Sequence, residues 1–122
     1  MRSPLVRLLI ALTLLSFDSF ASRRLQETEK LPLEKYVLGY FGQRPSGEKY
    51  FMACAPDGHE NRVLVRDFLG KRYGKVLRIE RSRFLIQELI EVSDGDWQPR
   101  SRWVPLLTEA EYLKACPGLS SE

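Results

Sequence analysis

From residue 36 to residue 104 no apolar run lasts long before a turn signal stops it. Runs at 36–41 (YVLGYF), 50–55 (YFMACA), 61–66 (NRVLVR), 75–80 (KVLRIE), 84–92 (FLIQELIEV) and 97–104 (WQPRSRWV) are rich in β-branched and aromatic residues. Between them stand Pro45 and Gly47, then Pro56-Asp57-Gly58, then a bend bracketed by Gly70 and Gly74, then Arg81-Ser82, then Asp94-Gly95. Proline presets φ and glycine permits φ above zero, so each is a place to reverse the chain. Short strands spaced in this way predict an all-β fold of about six to seven short strands, a small β-sandwich or a small barrel. Pro99 cannot donate to a ladder and is expected at an edge or bulge.

Alternation assigns the faces. Val63 and Val65 share one side of their strand. Leu77 and Ile79 point inward while Arg78 and Glu80 point outward. The expected core is Val63, Val65, Leu77, Ile79, Phe84, Ile86 and Trp97. One helix is expected at the C-terminal end, because Thr108-Glu109-Ala110-Glu111 has the form of a capping box and Tyr112, Leu113 and Lys114 follow before Pro117-Gly118.

The first residues have a different character. Arg2 and Arg7 precede the apolar run 8–17 (LLIALTLLSF), and Ser19-Phe20-Ala21 supplies small residues for cleavage. This is the order of an export signal over 1–21. A retained anchor is the alternative, against which stand the shortness of the run relative to the ~20 residues of a spanning helix and Asp18 at its end. Residues 22–34 (SRRLQETEKLPLE) are charged and broken by Pro32, and are expected as a flexible lead. The sandwich domain then occupies 35–107, and 108–122 hold the short helix and tail.

Export bears on the cysteines. Cys54 and Cys116 are the only two in the chain, and an oxidising compartment favours a disulfide between them; two buried free thiols are the alternative.

Residues for catalysis are sparse. The one histidine, His59, sits beside the Pro-Asp-Gly turn and reads as a solvated turn residue. The serines lie in loops or on polar strand positions without a nucleophile motif. Glu88 and Glu91 face opposite sides of a strand and make a poor acid–base pair. Asp94 and Asp96 lack the rest of a calcium loop, no cysteine or histidine spacing suits zinc, and the glycines form no phosphate-binding pattern. No enzyme activity, cofactor, metal or small-molecule substrate is expected. The formal net charge of +3 is too balanced to demand a polyanion. Arg62, Arg66, Lys71, Arg72, Lys75, Arg78, Arg81 and Arg83 do crowd together with Phe68, Tyr73 and Phe84 among them, a pattern that single-stranded nucleic acid could use. Export counts against that partner, and cationic strand faces also guard against aggregation.

The stretch from Asp57 to Val104 resembles the PilP family. Pro56-Asp57-Gly58 leads to the Arg62-Val63-Leu64-Val65 strand, then to Asp67-Phe68-Leu69-Gly70, Gly74-Lys75-Val76 and Ile79. Glu88-Leu89-Ile90-Glu91 follows, and the match closes on Asp94-Gly95-Asp96-Trp97 and Arg100. The resemblance implies a periplasmic β-sandwich that contacts inner-membrane pilus assembly proteins and the N-terminal domains of the outer-membrane secretin. It also implies kinship with the homology-region domain of type II secretion proteins. Three departures stand out. No cysteine precedes Cys54, so a lipid anchor is not supported; the lead is short for the arm that grips the inner-membrane partners; and the turn at 93–96 is shorter than usual.

The function expected is that of a non-enzymatic periplasmic scaffold of type IV pilus biogenesis, joining the inner-membrane subcomplex to the secretin. Retention of residues 1–21 would make it inner-membrane associated. A homology-region component of a type II secretion system and a small secreted binding protein are the alternatives. Two contact sites are candidates: the strand bearing Tyr36, Leu38 and Tyr40, whose aromatics exceed the needs of a small core, and the hairpin bearing Arg78, Arg81 and Arg83.

Overall fold

The computed structural model describes residues 25–118, and the expected export signal over 1–21 lies outside them. The described residues form seven strands: β1 (Val37–Gln43), β2 (Lys49–Cys54), β3 (Glu60–Leu64), β4 (Phe68–Leu69), β5 (Gly74–Ile79), β6 (Arg83–Ser93) and β7 (Asp96–Pro105). One helix, α1 (Glu109–Ala115), follows. Strands β1-β2-β3 make one sheet and β4-β5-β6-β7 the other, each strand antiparallel to its neighbours. The all-β sandwich with a C-terminal helix is therefore the fold observed. The two-residue β4 lies within what reads in the sequence as a bend.

The sheets pack face to face. Phe51 of β2 stacks on Phe84 of β6, ring centroids 4.4 Å apart, and Leu38, Ala53, Val63, Leu69, Val76, Ile79 and Ile86 complete the core around them. A second, smaller cluster lies on the outer face of β1-β2-β3. There Tyr112 and Cys116 of the C-terminal segment cover Cys54, Val37 and Met52, making the helix a third layer. The expected Cys54–Cys116 disulfide is present, with Cα atoms 5.7 Å apart. The capping box is present too: Glu111 N–H donates to Thr108 Oγ1 at 3.2 Å and Thr108 N–H to Glu111 Oε1 at 2.9 Å. Those bonds hold the Glu111 carboxyl below its usual pKa.

Four of the seven expected core residues are buried: Val63, Ile79, Phe84 and Ile86. Three are not, each for a reason of register. Val65 lies past the end of β3, in a tight reversal where Asp67 N–H donates to Leu64 O at 3.0 Å and the Asp67 carboxylate accepts from Leu64 N–H at 2.8 Å. Leu77 sits on a β-bulge: Val76 pairs with Ile86 but Arg78 with Leu85, so Val76 and Ile79 both face inward and Leu77 is pushed out. Trp97 pairs with Glu91 on the face opposite Phe84 and Ile86, and stands in solvent.

The lead also differs from expectation. From Leu25 it is not a flexible arm. Two 3-10 turns, Glu27–Glu29 and Leu33–Lys35, bury Thr28, Glu29 and Leu33. The Gln26 side chain accepts from Phe68 N–H at 2.9 Å, Thr28 O accepts from Gly70 N–H at 2.8 Å, and the Thr28 hydroxyl donates to Phe68 O. The lead thus satisfies β4, a strand too short to be stable by itself.

Candidate contact surface

Two sheets have four edges, and an unpaired edge is a row of donors and acceptors that another chain can complete. The β4 edge is taken by the lead. The β1 edge is taken by the chain leaving β7: Leu107 N–H donates to Leu38 O at 3.0 Å, and Tyr40 N–H donates to Leu107 O at 3.1 Å. Leu107 presses so close that a Cβ added to Gly39 would lie 2.7 Å from its carbonyl oxygen. The β3 edge is short. That leaves β7, ten residues long and, among the described residues, paired with β6 alone. Pro99 sits within it, as expected of an edge strand, and breaks its row of donors.

This arrangement separates the two sequence candidates. Tyr36 and Leu38 are buried in the core, with the Tyr36 hydroxyl donating to Glu27 O at 3.3 Å. Burial holds that hydroxyl above the ordinary tyrosine pKa, the neighbouring Glu27 and Asp57 adding to the effect. Tyr40 is half-buried edge-on against Tyr112, centroids 5.8 Å apart. The aromatics of this strand are not surplus to the core; the 3-10 turns and α1 give them a second layer to fill. They form no exposed docking strip.

Arg78, Arg81 and Arg83 are all exposed, and the β5–β6 turn brings them together at one end of the sandwich. Glu80 binds two of them, at 3.4 Å from Arg78 and 2.9 Å from Arg83. The Arg83 hydrogen bond chiefly holds the Glu80 carboxyl below its usual pKa. The Arg83 guanidinium lies 3.8 Å from the centre of the Trp103 ring, and that of Arg81 lies 5.4 Å from the centre of Phe41. Both contacts have cation–π geometry. They fix two long side chains that would otherwise lose rotamer freedom on meeting a partner. Trp103 and Phe41 were missed in the sequence because their roles depend on register. Leu85, not Arg83, is paired with Trp103, and Phe41 belongs to the other sheet.

The remaining chemistry of the surface is plain. His59 is exposed in its turn, where its N–H donates to the Asp57 carboxylate at 2.9 Å. Glu88 is turned inward and Glu91 outward. Among the described residues no group of three His, Cys, Asp or Glu side chains is placed to hold a metal, and no helix is long and apolar enough to cross a membrane.

Fold and surface together define a class: a small two-sheet β-sandwich domain with an open edge strand and an arginine–aromatic end. The family described as "Pilus assembly protein, PilP" matches over residues 17–106, and the chain belongs to that family. Solved structures agree. The solution structure of PilP from Pseudomonas aeruginosa is similar at 26% identity and a TM-score of 0.61, the match covering 70% of this chain and 75% of that one. A domain of the type IV pilus biogenesis lipoprotein PilP from Pseudomonas aeruginosa PA01 shares 26% identity at a TM-score of 0.59, covering 70% of this chain and 97% of that one. A domain of the Neisseria meningitidis PilP pilot protein shares 29% identity at a TM-score of 0.56, covering 69% of this chain and 74% of that one. Comparison with curated protein sequences returns no match. Both the β1 strap at Leu107 and α1 lie just beyond the stretch matched by the family.

Proposed function

We propose that this chain is a periplasmic scaffold of type IV pilus biogenesis, acting by contact rather than catalysis and linking inner-membrane assembly proteins to the N-terminal domains of the secretin. Membership of the PilP family supports the pilus setting. One observation favours the place of the secretin contact: of the sheet edges, the long open one, β7, ends beside the arginine–aromatic cluster of Arg81, Arg83, Phe41 and Trp103. An edge offers main-chain hydrogen bonds to an incoming strand. Stacked arginines offer oriented charge, which speeds encounter with an acidic partner and fixes its register. Trp and Arg are also the residues most often found to carry binding energy at interfaces.

The test is binding of the full chain to isolated secretin N-terminal domains, with a triple reversal of Arg78, Arg81 and Arg83 to Glu and, separately, Trp103→Ala. Both variants should stay folded, since none of the four side chains belongs to either buried core cluster. Loss of binding in both, together with weakening of the parent complex by salt, is the expected result. Unchanged affinity in both would remove the secretin from this end of the sandwich.

A further inference from the structure

Along an antiparallel strand the backbone groups point alternately to one neighbour and to the other, so register decides which residues of β7 face the open edge. Leu89 N–H donates to Arg72 O at 2.9 Å, on the β5 side of β6, and Arg83 O accepts from Glu80 N–H at 2.8 Å on that same side. The odd-numbered residues of β6 therefore bond away from β7. Their pairing partners in β7 are Trp97, Pro99, Ser101, Trp103 and Pro105. These are the residues whose backbone points out of the sheet. Both prolines of β7 fall in this outward set, where a missing N–H costs the β6–β7 ladder nothing. Trp97, Ser101 and Trp103 carry the outward donors. The strand is exposed along its length except at Val104, which is half-buried.

A strand laid antiparallel on this edge bonds through the outward residues alone. When that strand is β7 of a second copy, one register fits. With Ser101 opposite Ser101 of the second copy, Trp103 lies opposite Pro99 and Trp97 opposite Pro105. Every outward N–H then meets an outward carbonyl, and each proline faces a tryptophan. Sliding one copy by a pleat in either direction sets Arg100 or Arg102 directly against its own counterpart, a like-charge pair. In the fitting register Arg100 faces Arg102 of the second copy, whose charge Glu88 already offsets at 2.9 Å. The β6–β7 hairpin is also charged oppositely at its two ends. Asp94 and Asp96 stand at its tip, while Arg81 and Arg83 stand at its base. Pro105 pairs with Arg83, and Leu106 N–H donates to Ser82 O at 2.8 Å. The antiparallel arrangement thus brings the acidic tip of each copy alongside the basic end of the other.

We propose that the β7 edge takes a second copy of this chain, β7 pairing antiparallel with β7 about Ser101 and joining the two β4-β5-β6-β7 sheets into one. The contact is isologous, so it closes as a dimer and does not propagate into a fibre. A single strand edge is smaller than the interface of a permanent dimer, so the pairing is reversible. It covers the edge on which the secretin contact is placed, and dimer and complex exclude one another. That last consequence rests on the scaffold reading; the pairing itself does not.

Sedimentation equilibrium of the full chain over a concentration series should show a monomer–dimer equilibrium that salt weakens. Ser101→Cys tests the register. Residues opposite each other in a bonded antiparallel pair have Cα atoms about 5.5 Å apart, within reach of a disulfide. Mild oxidation should give a covalent dimer of Ser101→Cys and not of Gln98→Cys, which would face Val104 instead. The Cys54–Cys116 pair is buried and takes no part. Ser101→Pro deletes the central bonds between copies and leaves the β6–β7 ladder intact. It should raise the dimer dissociation constant about tenfold or more, with the melting temperature of the parent at low concentration. A parent chain that stays monomeric at millimolar concentration, an unchanged dissociation constant in Ser101→Pro, or equal cross-linking of the two cysteine variants would overturn the proposal. If Ser101→Pro proves unstable, the two cysteine variants decide. Binding to the secretin domains is measured apart from these, so either reading can fail without the other.

Discussion

Glu88 and Arg102 meet diagonally across β6 and β7, Nε 2.9 Å from Oε1, with the glutamate side chain 3% exposed and the arginine half in solvent. Glu88 occupies an inward position that alternation would assign to an apolar side chain, just past Ile86. A carboxylate there is tolerable only with its partner, and Arg102 responds to it: the Glu88 hydrogen bond holds the guanidinium pKa above its ordinary value, against the opposing effect of burial. Arg102→Ala leaves a buried acid uncompensated and should destabilise the fold by about 2–3 kcal/mol, somewhat less than a fully buried pair because water reaches the arginine. Replacing both, as Glu88→Leu with Arg102→Met, should recover most of that loss. Urea unfolding of the two variants checks both expectations.

The β5 bulge makes a sharp prediction at neighbouring positions. Val76→Ala removes fully buried methyl groups and should cost about 1–3 kcal/mol. Leu77→Ala, though it deletes more atoms, should cost less, about 1 kcal/mol, because the side chain is more than a third exposed and lies outside the core. Denaturation midpoints in the reverse order would place the bulge elsewhere.

The Cys54–Cys116 disulfide closes a loop of sequence separation 62. Loop entropy sets its contribution at about 4 kcal/mol in the unfolded-state account. A Cys54→Ser, Cys116→Ser double variant should lose about 2–4 kcal/mol, and hydrogen exchange should rise first in α1 and at the Leu107 contact rather than in the β6–β7 pairing.

Gly39 is required by proximity, not by its backbone angles. A methyl group there would meet Leu107 O at 2.7 Å and Leu107 Cβ at 2.9 Å. Gly39→Ala should push the strap away from β1 and cost about 1–3 kcal/mol. Faster exchange of the Tyr40 and Leu107 amide protons, both bonded across this contact, would report the displacement directly.

Tyr112 supplies an alkaline limit. Its hydroxyl, donating to Glu60 Oε1 at 2.7 Å, is held protonated well above the ordinary tyrosine value, first by burial and then by the Glu60 hydrogen bond. A raised folded-state pKa leaves stability intact below the unfolded value near pH 10 and withdraws it as pH rises beyond. Stability should therefore fall above about pH 10. Tyr112→Phe, which forgoes a hydrogen bond worth about 1 kcal/mol, should be less stable at neutral pH and have a shallower alkaline slope. A pH series of thermal melts, with tyrosinate absorbance followed in parallel, checks both.

Much of the architecture is legible in the chain by itself, because its signals are local. Gly58, Gly70 and Gly95 all adopt the positive φ that their turns call for, and Thr108 and Glu111 make the cap that their spacing announces. The long apolar run that ends in Val92 is a strand, as its flanking turns require. The cysteine pairing is favoured by an even count and an expected oxidising destination, and the structure holds it. Tertiary structure decided the rest, through contacts between residues distant in sequence. Gln26 reaches Phe68 and so turns a charged lead into part of the sandwich; Leu107 reaches Gly39 and so closes the β1 edge. The bulge at Leu77 turns Val76 in and Leu77 out while Ile79 stays inward, in a strand whose alternation looks regular, since pairing with β6 sets the register and the pattern within β5 does not. For the same reason Tyr36 and Leu38 lie inside while Arg83 and Trp103 meet outside. A residue's alternation says that it has a side, but only the packed sheets say which side is covered.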